Sequence, residues 1–165
     1  MVIRAAKPED SNQIFGLIKA LAEYEKLSHL VSGNPAELRG HLFGATRYAE
    51  VLLAECNGQA VGFALFFHNY STFLTKPGIY LEDIFVLPDY RQQGIGKALL
   101  TQVAQIAVER NCGRLEWSVL DWNTPAIGFY QRMSASILDE WKICRVTGED
   151  LVQLASTDGQ ALKLP

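Results

Sequence analysis

The feature that most narrows the fold is a mostly apolar run, Ile79-Tyr80-Leu81-Glu82-Asp83-Ile84-Phe85-Val86, leading through Pro88-Asp89-Tyr90 into Arg91-Gln92-Gln93-Gly94-Ile95-Gly96 and an amphipathic stretch from Lys97 to Arg110. The order predicts a strand, a turn, a glycine-bearing loop and a helix that opens on that loop. The first turn of a helix carries backbone N–H groups with no partner inside the helix, and the aligned peptide dipoles place partial positive charge there. Such a terminus holds a phosphate without a dedicated cation. Gly94 and Gly96 allow a ligand to approach the backbone closely.

Two familiar phosphate loops do not fit. A Walker loop requires glycine five residues before its Gly-Lys pair and Ser or Thr after it, where this chain has Arg91 and Ala98. A dinucleotide fingerprint requires a third glycine where Leu99 stands. What remains is R-x-x-G-x-G after a strand, compatible with a pyrophosphate site. On the loop alone, an ordinary strand–turn–helix with glycines for tightness explains the residues equally well.

A chain of 165 residues with 48% hydrophobic and 20% charged residues suits one globular domain, 1–165. The longest apolar stretches, Ala60 to Phe67 and Ile79 to Val86, fall far short of the roughly 18 residues of a membrane helix. Met1-Val2-Ile3-Arg4-Ala5 lacks the basic segment and apolar core of a secretory signal, so a cytoplasmic location is expected. Cys56, Cys112 and Cys144 are scattered without a C-x-x-C pair, and His29, His41 and His68 show no ligand spacing, so no metal site is expected. A net charge of −3 without a basic cluster argues against nucleic acid and favours cationic substrates.

Along the chain, Val2 to Ala5 reads as a short strand, and Pro8-Glu9-Asp10 supplies the proline and acidic first turn of a helix running to about Lys26. Ile14, Leu17, Ile18, Leu21 and Ala22 form its apolar face. After Ser32-Gly33-Asn34-Pro35, Ala36 to Phe43 is a short helix. Ala49 to Glu55 and Gln59 to His68 are antiparallel strands about an Asn57-Gly58 turn, with Gly62 marking a bulge or close packing. The helix from Lys97 to Arg110 ends at Asn111-Cys112-Gly113, followed by a strand from Leu115 to Leu120. A helix from Asn123-Thr124-Pro125 to about Arg132, a strand from Asp139 to Val146 and a short helix from Asp150 to Ala155 behind Thr147 complete the reading. These elements amount to a mixed, mostly antiparallel sheet flanked by helices.

A second block, Asp121-Trp122-Asn123-Thr124-Pro125-Ala126-Ile127-Gly128-Phe129-Tyr130, lies downstream of the loop. With the R-x-x-G-x-G loop it resembles the GNAT family of N-acetyltransferases, whose N-x-x-A-x-x-F-Y pattern it matches. Tyr80-Leu81-Glu82-Asp83 and Leu21-Ala22-Glu23-Tyr24-Glu25 resemble the branch that includes the spermidine/spermine and thialysine acetyltransferases. The resemblance runs from about Ile3 to Ala155. It implies the GNAT acyl-CoA N-acyltransferase fold, of class α/β (α+β), and acetyl-CoA as cosubstrate. It also implies a primary amine of a small molecule as acceptor and a homodimer.

An alkylammonium has a pKa of about 10.4 and must lose a proton before it can attack a thioester. By resemblance Glu82 is that base, acting through water, and Tyr130 returns a proton to the departing thiolate. Backbone N–H groups of Ile84, Phe85 and Val86 serve the oxyanion and the pantetheine arm. Arg91, Gln92, Gln93, Gly94, Ile95, Gly96 and Lys97 grip the pyrophosphate, and Asn123, Ala126, Tyr130 and Met133 complete the coenzyme side. Tyr24, Glu25, Glu82 and Trp122 border the amine, an aromatic and acidic lining suited to an ammonium. Direct transfer in a ternary complex agrees with the lack of a Cys/His nucleophile near either block. Each of these residues also has an ordinary reading as core or solvated surface. One departure stands out: Ser134 occupies the place where the family has glycine after the Phe-Tyr helix. Acetylation of a protein lysine or amino terminus, and a coenzyme-binding protein without turnover, are the competing functions.

Overall fold

The computed structural model describes residues 1–156, and the residues beyond, within the tail from Ser156 to Pro165, lie outside the described part. The chain forms two compact units, Met1–Asn123 and a second beginning at Thr124.

In the first unit, β1 (Val2–Ala5), β2 (Glu50–Cys56), β3 (Gln59–Ser71), β4 (Lys76–Val86) and β5 (Leu115–Glu116) form a five-stranded sheet in chain order. All neighbours are antiparallel except β4 and β5, so the sheet is mixed and mostly antiparallel as expected. Asn57 and Gly58, with φ of 51° and 78°, make the tight β2–β3 turn. Residues Val51 to Ala54 and Ala60 to Ala64 are buried without a break because both sheet faces are covered.

One face packs α1 (Ser11–Tyr24) and α2 (Pro35–Phe43) through Ile14, Leu17 and Leu42 against Val51, Leu53, Phe63 and Phe85. Alternate positions such as Leu52 and Ala64 face the other side, where α3 (Ile95–Glu109) packs a stripe of Ile95, Leu99, Leu100, Val103 and Ala107 on β2, β3 and β4. Asn34 caps α2, its side-chain oxygen accepting from the N–H groups of Ala36 and Glu37 at 3.0 Å. Arg4 on β1 grips the buried carboxylate of Asp10 at 2.7 and 2.9 Å and also Glu55, which fixes the entry to α1 against the sheet.

Several expected boundaries move. Pro8 to Asp10 is a single 3₁₀ turn ahead of α1, and α1 ends at Tyr24 rather than continuing to Lys26. Lys26 takes the left-handed conformation (φ 61°), with its own N–H on the carbonyl of Glu23 and that of Leu27 on Ala22. That is a Schellman ending built without glycine, which is why no glycine signalled it. At the expected stop Asn111-Cys112-Gly113, Asn111 (φ 54°) ends α3 in the same way.

The expected strand from Leu115 to Leu120 is paired only at Leu115 and Glu116. In the second unit, α4 (Thr124–Arg132) and α5 (Gly148–Ser156) form, but Asp139 to Val146 is not a strand and is exposed throughout. Among the described residues no strand pairs with this segment, and an alternating sequence without ladder partners has nothing to hold it extended. Ser134 is left-handed (φ 66°), donates its N–H to Gln131, and is followed by Ala135 donating to Tyr130, another Schellman ending. The serine departure therefore leaves the geometry of the helix end intact, at the cost of a strained residue.

Candidate active site

β4 carries the centre of the site. Leu65 of β3 pairs with Asp83 and the next residue, Phe66, with Leu81, so Glu82 is an extra residue in a β-bulge. Bulges redirect side chains at functional positions. Gly62 lets β3 approach the end of β4: a Cβ there would stand 2.7 Å from the carbonyl oxygen of Phe85. On the other side, pairing of β4 with β5 stops at Tyr80–Glu116. Residues 81–86 have no strand partner on that edge among the described residues. The bond from Leu87 N–H to the Val61 carbonyl fixes the register so that Phe85 bonds to β3, unlike the sequence expectation, and the backbone groups of Ile84 and Val86 are left for an extended ligand.

The chain passes from Val86 through one turn of 3₁₀ helix at Pro88–Tyr90 into the loop. Gln92 (φ 61°) and Gly94 (φ 81°) are both left-handed, and Gly94 is the N-cap of α3 without a side-chain cap. The first N–H used inside the helix is that of Ala98, on the carbonyl of Gly94 at 2.9 Å. The N–H groups of Ile95, Gly96 and Lys97 precede the first bond of the ladder, the arrangement that binds anions. The Ile95 side chain is buried core, so this residue offers a ligand only its backbone, while Gln92, Gln93 and Lys97 are exposed.

Tyr24, Phe85, Arg91, Trp122 and Asn123 are brought together. The Tyr24 ring lies 6.4 Å from Phe85 and 6.3 Å from Trp122 between centroids, and its hydroxyl donates to Asn123 Oδ1 at 3.3 Å. The Arg91 guanidinium sits 4.3 Å over the Tyr24 ring and 5.4 Å over Phe85, while its Nε donates to the Val86 carbonyl at 2.9 Å. Asn123 is buried and Trp122 is half exposed. The cation over Tyr24 is thus the protein's own.

Glu25 follows α1 directly. Burial raises its carboxyl above the ordinary range. Asp83 is pushed up to about 7, by burial first and then by the charges of Glu82 and Glu25. Glu25, Glu82 and Asp83 therefore share one electrostatic site, with Glu82 the exposed member. Sequence reasoning gave Asp83 no role. Its place beside Glu82 was visible, but its partial burial and the charge of Glu25 near it come from the tertiary structure. A carboxyl that titrates near neutrality can take or give a proton at working pH, which an ordinary aspartate does poorly.

Tyr130 and its neighbours belong to the second unit. Tyr130 is buried on α4, and its carbonyl accepts from the N–H groups of Met133 at 2.9 Å and Ala135 at 3.0 Å. Its ring lies 5.3 Å from that of Phe129, and Ala126 and Met133 are half buried. Among the described residues no cluster of His, Cys, Asp and Glu is arranged to hold a metal, and no helix is long and apolar enough to cross a membrane.

Comparison with known proteins places this geometry. Residues 15–134 match the profile of the acetyltransferase (GNAT) family. A thialysine N-epsilon-acetyltransferase of Bos taurus is 41% identical over 94% of this chain and 97% of its own length. An L-ornithine N5-acetyltransferase of Arabidopsis thaliana is 35% identical over 90% of this chain and 85% of its own. Among solved structures, an integron cassette protein from the mobile metagenome of V. cholerae superposes with a TM-score of 0.79 at 25% identity, covering 94% of this chain and 97% of that one.

Proposed function

The chain belongs to the GNAT acetyltransferase family, and from that premise we propose that it transfers acetyl from acetyl-CoA to a primary amine of a small molecule, a diamine, polyamine or lysine-like amino acid. The names of the relatives support this class, since thialysine and ornithine both present an alkylammonium at the end of a side chain. The observation that carries the reading is the edge of β4. It loses its strand partner after Tyr80 and leads through the turn at Pro88–Tyr90 to the uncapped start of α3, which supports an extended arm ending in a pyrophosphate as the ligand.

Acetyl-CoA, when bound, supplies the thioester carbonyl. The N–H groups of Ile95, Gly96 and Lys97 hold its pyrophosphate in the loop 91–97, and those of Ile84 and Val86 on the open edge of β4 stabilise negative charge on the carbonyl oxygen. Asn123, Ala126 and Met133 line the coenzyme arm. Glu82, through water, takes a proton from the ammonium, with Asp83 and Glu25 holding the negative potential that draws the cation in. Tyr130 returns a proton to the sulfur, since the reference pKa of a phenol, about 10, lies close enough to the roughly 8.5 of a thiol. Trp122 flanks the amine. The whole chain, 1–165, acts as one N-acetyltransferase domain, a cytoplasmic homodimer by likeness to its branch, without a metal.

The test is release of free thiol from acetyl-CoA across a panel of diamines, polyamines, lysine analogues and lysine-containing peptides. Turnover with the small amines and none with the peptides is the expected result. Turnover confined to peptides refutes the substrate class, and none with any amine refutes the enzyme reading.

A further inference from the structure

Arg91 opens the loop assigned to the pyrophosphate, yet its side chain is committed elsewhere. Nε donates to the carbonyl at the end of β4, and the planar guanidinium lies over the faces of Tyr24 and Phe85. Tyr24 in turn donates to Asn123 and packs on Trp122. These contacts form one chain from the coenzyme strand to the wall that borders the amine, joining residues far apart in sequence. We infer that Arg91 is a positioning residue: its side chain clamps the end of β4 to Tyr24 and through it orients Asn123 and Trp122, and it is not the phosphate ligand of its loop.

The chemistry supports this division of labour. The phosphate site is already supplied by backbone N–H groups at the head of α3, where the helix dipole adds to them. The positive charge of Arg91 is met by two ring faces and a carbonyl, contacts that favour a flat, directional cation. Lysine carries the same charge but cannot stack as a plane while donating from a fixed Nε. Charge alone therefore does not replace this side chain.

The naming of the amine wall rests on the proposed function, so the experiment has two arms. In the first, acetyl-CoA is titrated calorimetrically into the parent, Arg91→Lys and Arg91→Gln at several salt concentrations. The clamp predicts that Arg91→Gln keeps the parental salt dependence and stays within about threefold of parental affinity, because no ion pair to phosphate has been removed. A flattened salt dependence with affinity lost in Arg91→Gln and restored in Arg91→Lys would overturn it. In the second arm, KM for the best amine of the panel rises roughly five- to thirtyfold in both variants, and combining either with Tyr24→Leu adds little further. Parental amine KM in both variants, or full additivity, would also overturn the clamp. If no amine is acetylated by the parent, the substrate reading fails by itself and the calorimetric arm still decides the role of Arg91.

Discussion

Replacing Asp83 by asparagine keeps the shape of the side chain and deletes the ionisation that the site strains against. In the folded chain, burial and the neighbouring Glu82 and Glu25 push this carboxyl up to about 7, whereas in the unfolded chain it ionises near the ordinary value of about 3.9. Between those pH values the folded state holds a proton that the unfolded state has lost. The folded state therefore binds more protons, and parental stability falls as pH rises through that window. A full proton is worth about 1.4 kcal/mol per pH unit, which sets a ceiling of about 4 kcal/mol above pH 7. Asp83 is only partly buried, and solvent screening reduces this to about 2 kcal/mol. Asp83→Asn lacks the penalty. Thermal melts followed by circular dichroism from pH 4 to 8 should therefore nearly coincide for the two proteins at pH 4. At pH 8 the variant should melt about 4–8 °C higher, the shift about 2 kcal/mol produces in a domain of this size. Melting curves that remain parallel across the range refute the argument, because they mean that Asp83 titrates alike in both states.

Tyr130→Phe should lower turnover by about 10²–10⁴-fold with acetyl-CoA affinity largely kept, as measured by steady-state kinetics beside direct titration; near-parental turnover removes the phenol from the mechanism. Glu82→Gln should lower turnover most near neutral pH and recover partly at higher pH as free amine becomes available, and an unchanged pH–rate profile counts against the base. Gly94→Val places a β-branched residue at φ 81° and should abolish the rise in melting temperature that acetyl-CoA gives the parent, so an undiminished rise in a folded variant removes the loop assignment. Ser134→Gly relieves a left-handed serine inside a complete Schellman ending and should stabilise the protein by about 1 kcal/mol in denaturant unfolding, whereas destabilisation shows that the serine is held there by something other than backbone geometry.

What can be read from local sequence here is what local physics governs. The helical spacing of Ile14, Leu17 and Leu21, the Asn57-Gly58 turn, the short helix after Ser32-Gly33-Asn34-Pro35, and the glycine loop feeding α3 each depend on residues within a turn or two of one another. The structure places them accordingly. The family blocks around Arg91 and Asn123 were legible for a different reason: they preserve residue types at fixed spacing. Tertiary structure alone decided the rest. The bulge that makes Glu82 the odd residue of β4 exists only in register with β3, and the neutral-range titration of Asp83 needs the partial burial and the Glu25 charge that only the folded chain supplies. The left-handed ending at Lys26 uses a residue that carries no local signal for that conformation. The segment Asp139 to Val146 is not a strand, because a strand is defined by its partner as much as by its own pattern. The link from Tyr24 to Asn123 spans 99 positions of sequence, and no periodicity reports a contact at that range.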